Sequence, residues 1–318
     1  MALALIKILI GFVLLIYGAE YTVRGAVAIA NKLNIPAIII GLTIVAFGTS
    51  APEFVVSISS ATKGSAGIAL GNVIGSNIAN VMLILGAAAM IYPIRANIKT
   101  FSRDYLFMMF VTILFAFFAK DGTFDNREGL FLLLLLAIFI FINYRNSKNS
   151  EDEESSVSPI ANRSWAFVSL VTIGGLVGIV YGADLLVDGA VFVAKAFGVS
   201  EDIIGLTLIA FGTSLPELAT TCMAAFRRQS DVALGNIIGS NIWNIVLIMG
   251  ASSSMVEIDV PTQFINFDIW VMILSSGFLL PIMYVSHKIG RLSGATYVLG
   301  YFMYIAVQWM AVKGQISF

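Results

Sequence analysis

Apolar residues run along this chain in blocks of about twenty or more, separated by short polar segments, with little of the regular apolar and polar alternation that marks half-buried elements. A helix needs roughly 20 mostly apolar residues to cross the hydrocarbon of a bilayer. Blocks of that size predict helical spans at 3–30, 36–62, 66–91, 104–119, 128–144, 164–193, 200–226, 232–253, 267–286 and 292–312. The expected fold class is an all-α integral membrane protein with ten transmembrane helices. The first block has no small-residue cleavage site behind a short apolar core, so it reads as a retained helix rather than a signal peptide.

Composition supports this. Of 318 residues, 58% are hydrophobic and only 12% charged, with a mean hydropathy of +0.93, outside the range of soluble globular chains. The lipid bilayer is the expected surround, and neither a nucleic-acid partner nor an obligatory protein partner is expected. The lone Cys222 lies in an apolar block with no second cysteine, so no disulfide forms and it reads as a small core residue.

Lys and Arg in the connections set orientation, because basic loops stay cytoplasmic. One face collects Arg24, Lys32, Arg95, Lys99, Arg103, Arg145, Lys148, Arg163, Arg227, Arg228, Lys288 and Arg291; the other has Lys7, Lys63, Lys120, Arg127, Lys195 and Lys313. Both termini are therefore expected outside the cytoplasm, in a multi-pass protein of the cell's plasma or inner membrane. The single long polar connection, 145–163, has a disordered-linker composition, and its run Glu151, Asp152, Glu153, Glu154 reads as a solvated acidic stretch.

The linker separates two copies. Shifting the chain by 164 residues (217 − 53) lays "GLTIVAFGTSAPE" on "GLTLIAFGTSLPE" and "GNVIGSNIAN" on "GNIIGSNIWN". From Gly41–Gly86 against Gly205–Gly250, 24 of 46 positions are identical. The expected organisation is an N-terminal five-helix repeat at 1–144, a cytoplasmic linker at 145–163 and a C-terminal five-helix repeat at 164–318. Five is odd, so the second copy enters the membrane in the opposite sense. Inverted repeats are characteristic of secondary transporters, whose sites lie near the midplane where interrupted helices meet.

Each copy places G-T-S-x-P-E inside its second span. Pro52 and Pro216 remove a backbone donor and clash with the carbonyl four residues earlier, so the second and seventh helices should break there. The break is expected to release carbonyls of Ala46, Thr49, Ala210 and Thr213 beside the carboxylates of Glu53 and Glu217. A glutamate at that depth is costly unless paired or solvated. Lys63, Arg227 and Arg228 lie at span ends, so a bound cation is the expected partner. In the third and eighth spans, Ser76 and Asn80, and again Ser240 and Asn244, stand four apart on one helical face and offer neutral oxygens. Gly71 with Gly75, and Gly235 with Gly239, form small faces for close packing. Carboxylate, amide, hydroxyl and carbonyl oxygens suit Ca2+ and Na+. No cofactor is expected, and the sole histidine, His287, reads as a surface residue in a basic connection.

These doubled motifs resemble those of the sodium/calcium exchangers in the cation/calcium exchanger superfamily, above all its small prokaryotic members. The resemblance implies a carrier, not an enzyme, with a gate made by the first and sixth helices sliding over a core of the second, third, seventh and eighth; Gly18 and Gly182 are expected to ease that sliding. Its implied central ligands are Glu53, Glu217, Asn80 and Asn244, with carbonyls from Thr49 and Thr213. Flanking sodium sites would use Ala46, Ser50, Ser76, Ala210, Ser214 and Ser240. Some relatives carry Asp where this chain has Asn244, which argues against potassium coupling. The implied activity is exchange of Na+ for Ca2+; H+-coupled Ca2+ exchange and a cation channel are the competing readings.

Overall fold

The computed structural model describes residues 1–95, 98–147, 158–197, 210–313 and 315. The acidic run 151–154, and residues 200–209 of the expected seventh span, lie outside the described residues.

The helices are α1 Ala2–Leu33, α2 Ala37–Thr49, α3 Ala51–Thr62, α4 Gly67–Ile91, α5 Ile98–Phe118, α6 Asn126–Ser147, α7 Trp165–Ala196, α8 Ala210–Thr213, α9 Leu215–Phe226, α10 Ser230–Met255, α11 Phe264–Ser286 and α12 Arg291–Val312. Among the described residues, seven helices are long and apolar enough to cross a membrane, and the bent pair α2–α3 makes an eighth if it is one span.

Cross-contacts define two faces. On the linker face, Lys32 stacks over Trp165 at 5.3 Å and Ser158 Oγ donates to the Arg24 carbonyl at 2.9 Å. There β1 (Ile94–Arg95) pairs antiparallel with β4 (Lys288–Ile289). On the opposite, terminal face, Lys7 meets Asp188 at 3.1 Å and β2 (Thr123–Phe124) pairs antiparallel with β3 (Ile258–Asp259). Both ladders join one copy to the other.

The two long helices α1 and α7 run antiparallel and meet through glycines seven apart. A Cβ on Gly18 would sit 2.8 Å from the Gly175 carbonyl, and one on Gly182 would sit 2.8 Å from the Gly11 carbonyl. Gly175 is the copy of Gly11 (175 − 164) and Gly182 the copy of Gly18 (182 − 164), so the contact is self-complementary, as in a two-fold dimer. This corrects the expected role of Gly18 and Gly182: they bind the two long helices to each other instead of easing their passage over the core. Small residues permit such close backbone approach, which maximises dispersion where lipid supplies no hydrophobic drive.

Beneath this pair, α10 is almost wholly buried. Gly235 and Gly239 bring it against α2, where a Cβ on Gly239 would sit 2.6 Å from the Leu42 carbonyl. The corresponding partner of Gly71 and Gly75 would be 201–210, mostly outside the described residues. His287 is exposed and caps α11 in a left-handed conformation, φ 53°.

Candidate ion-binding site

α2 and α3 meet at Ser50 (φ −80°, ψ 7°) with a 48° bend, two residues before Pro52. Ser214 takes the same conformation (φ −87°, ψ 3°) between α8 and α9, two residues before Pro216. Proline at the second position of α3 and α9 falls where its missing N–H has no intrahelical acceptor to lose. Each break sets a serine hydroxyl and, three residues on, a glutamate in the interior.

Glu53 and Glu217 are each only 1% exposed. Neither forms an ion pair among the described residues; Arg227 turns instead to Glu20 on α1. The serines cross over. Ser50 Oγ donates to Glu217 Oε1 at 2.9 Å, and Ser214 Oγ donates to Glu53 Oε1 at 3.3 Å. Ser214 Oγ also lies 3.5 Å from Ser76 Oγ. Thr49 and Ser240 flank Glu217, and Thr213 flanks Glu53. Every carboxylate is thus steadied by a hydroxyl from the other copy.

The asparagines come from α4 and α10. Asn80 Nδ2 donates to Asn241 Oδ1 at 3.0 Å, which turns Asn80 Oδ1 away from that bond. At Asn80 and at Asn244 both helices switch to a π-turn, Asn80–Leu85 and Asn244–Met249. Single π-turns inside α-helices tend to mark functional positions because they widen the helix locally and redirect a side chain. Among the buried side-chain oxygens without a hydrogen-bond partner in the described residues, five belong to the expected ligands: Glu53 Oε2, Glu217 Oε2, Asn80 Oδ1, Asn244 Oδ1 and Ser240 Oγ. Leaving such groups unpaired in a buried place is expensive. The set is two carboxylates, two amide carbonyls and one hydroxyl, the oxygen chemistry of a hard cation.

One expectation is revised. Ala46 O already accepts from Ser50 N at 3.0 Å and from Thr49 Oγ1 at 3.3 Å, so the bend does not leave it free. Ala210 begins α8, and its side chain lies outside the described residues. The sequence reading also passed over a brace behind the site. Asn72 Nδ2 donates to Ser57 Oγ at 2.9 Å and to the Glu53 carbonyl at 3.2 Å. Its copy Asn236 donates to Thr221 Oγ1 at 2.9 Å and accepts from Thr49 Oγ1 at 3.2 Å. The signal was present, since Asn72 and Asn236 are the second residues of the doubled "GN" motifs.

The family model "Sodium/calcium exchanger protein" matches this chain twice, over residues 3–145 and 167–310. The chain belongs to the sodium/calcium exchanger family. Family relatives include a putative antiporter, CaxA, of Alkalimonas amylolytica, 37% identical over 96% of this chain and 97% of that one. The sodium/calcium exchanger MaX1 of Methanosarcina acetivorans is 35% identical over 94% and 97%. Among solved structures, the sodium-calcium exchanger NCX_Mj soaked with 10 mM Na+ and 10 mM Sr2+ superposes with a TM-score of 0.85 at 35% identity, covering 96% of this chain and 98% of that one. As a member of this exchanger family, the chain is a multi-span integral membrane transporter with inverted repeats.

Proposed function

We propose that this chain is a ten-span antiporter that exchanges Na+ for Ca2+ by alternating access, three Na+ for one Ca2+, with ions held between Glu53 and Glu217 at mid-membrane. In this reading α2 with α3 forms one broken span, and the segment ending in α8 and α9 forms its copy. Repeats 1–144 and 164–318 are joined by the cytoplasmic linker 145–163, both termini being extracytoplasmic. The observation that carries the proposal is the set of five unpartnered buried oxygens drawn from both copies around two cross-bonded carboxylates. Ser50, Ser76, Thr49, Ser214, Ser240, Thr213 and Ala210 complete the lining, with Asn80 and Asn244 as neutral central ligands.

Charge follows from the ligand set. With both asparagines neutral, two ionised glutamates balance one Ca2+, whereas three Na+ leave one net positive charge. Exchange is then electrogenic, and each elementary charge moved is worth about 2.3 kcal/mol per 100 mV. The test is 45Ca2+ uptake into Na+-loaded proteoliposomes at a valinomycin-set potential. Uptake is expected only with an outward Na+ gradient and is expected to be faster when the lumen is positive. Uptake driven by a proton gradient alone would overturn sodium coupling, and indifference to the sign of the voltage would overturn the stoichiometry.

A further inference from the structure

Glu20 lies in the middle of α1, 7% exposed, and takes no part in the ion site. Arg227, one residue past α9, grips its carboxylate as a fork: Nε donates to Oε2 at 2.6 Å, and Nη2 lies 2.5 Å from Oε1. Arg24, one turn along α1, pairs with the same carboxylate. Charge-assisted forks of this kind are short, directional and stronger than neutral hydrogen bonds.

The second copy carries the counterparts: Asp184 for Glu20 (20 + 164) and Lys63 for Arg227 (227 − 164). These are not joined. Both are exposed, and neither makes an ion pair among the described residues. Packing follows the charges. α1 lies along α9, whereas α7 has no comparable packing on α3, the counterpart of α9. Two copies of nearly one sequence thus hold opposite arrangements at opposite faces. In an inverted repeat, exchanging the two arrangements produces the oppositely facing state.

We infer that Glu20 and Arg227 form one of two alternating latches, and Asp184 and Lys63 form the other. The first pins α1 to α9 and shuts the linker face. When it parts, the glycine-locked pair α1–α7 shifts as one body, and the second latch pins α7 to α3 and shuts the terminal face. The latches are unequal by chemistry. Arginine presents a planar fork to the carboxylate, while lysine presents a single hydrated point charge. Ion-free protein is therefore biased toward the state closed at the linker face. The inference deepens the antiport reading and rests on it.

The test reads distances, not flux. Spin-label pairs would be placed in a Cys222→Ser background at Leu33 and Phe226 on the linker face and at Thr62 and Phe192 on the terminal face, all exposed positions. Reconstituted protein in Na+- and Ca2+-free buffer is expected to give a short linker-face distance. Glu20→Gln is expected to lengthen it by about one helical turn, roughly 5 Å, and to shorten the terminal-face distance. Should Glu20→Gln fail to fold, Arg227→Gln, at the partly exposed partner, is expected to move both distances in the same senses. Lys63→Arg, which strengthens the second latch without removing any buried group, is expected to shift populations that way too. Unchanged distances in the folded Gln variant and in Lys63→Arg overturn the latch. Failure of the antiport reading appears separately, as absence of Na+-driven 45Ca2+ uptake by the wild-type protein.

Discussion

At the proposed ion site the two copies are close to interchangeable, and at the proposed latches they are not. Ser50 reaches Glu217 as Ser214 reaches Glu53, and both asparagines stand at the mouth of a π-turn. Around Glu20, by contrast, two arginines converge, while Asp184 and Lys63 stand apart and exposed. A site that must be reached in turn from either side gains from a symmetric centre, because its ligands then need little rearrangement between states. In the latch proposal, which side is open is set at the periphery, where symmetry is broken.

The strongest way to break this comparison is through the carboxylates. Glu53→Gln and Glu217→Gln each keep the shape and remove a charge from a buried ion site, a loss of about 3 kcal/mol or more. Sodium-driven 45Ca2+ uptake is expected to fall by roughly 100-fold or more in both. One variant at near wild-type rate would show that the centre is not shared equally. Next come the crossing hydroxyls. Ser50→Ala and Ser214→Ala each remove a hydrogen bond to a charged group, worth about 1.5–3 kcal/mol. Apparent ion affinity should drop by about tenfold or more, further for Ser50, whose bond is 2.9 Å against 3.3 Å. Equal affinity losses would mean that bond length does not separate the two copies.

Smaller effects test the helix pair. Gly18→Ala and Gly182→Ala would each press a methyl against a backbone carbonyl 2.8 Å away, costing about 1–3 kcal/mol. Gly178→Ala, whose added carbon would meet the Gly18 Cα at 3.6 Å, an ordinary contact, is the control. Thermal unfolding in detergent should rank Gly178→Ala with the wild type and the other two below it. The smallest expected effect is Trp243→Phe. Trp243 replaces Ala79 of the first copy, and its indole N–H donates to the Leu42 carbonyl at 2.9 Å. Losing that bond costs about 1 kcal/mol, seen as a modest drop in the unfolding midpoint.

Much of this was legible in the chain. Blocks of apolar residues mark crossings because the bilayer imposes their length, and the offset of 164 is plain in "GTSAPE" and "GTSLPE". Proline chemistry anticipates the bend at Ser50. What stayed hidden needed three dimensions. No spacing announces that Ser50 serves the glutamate of the other copy, or that Gly18 seats against Gly175. The missing N–H of Pro52 frees the carbonyl of Gly48, not that of Ala46, whose donor is Ser50. Glu20 was visible as an acid in an apolar helix, the kind of residue that needs a partner, but Arg227 lies 207 positions away.

The wide turns at Asn80–Leu85 and Asn244–Met249 also speak to how the chain tolerates a change of length. A π-turn is an α-helix that has absorbed one surplus residue without disturbing the register of either flank. The two sit at the same offset of 164 residues (244 − 80) in the two copies. The turn at Phe264–Asp268 has no counterpart in α5, which is α-helical there, so this turn is not shared by the two copies. Deleting one residue between Val81 and Leu85 should therefore leave a well-folded, ordinary helix with both flanks in place. The same deletion between Ile68 and Ile78 would rotate everything beyond it by about 100°.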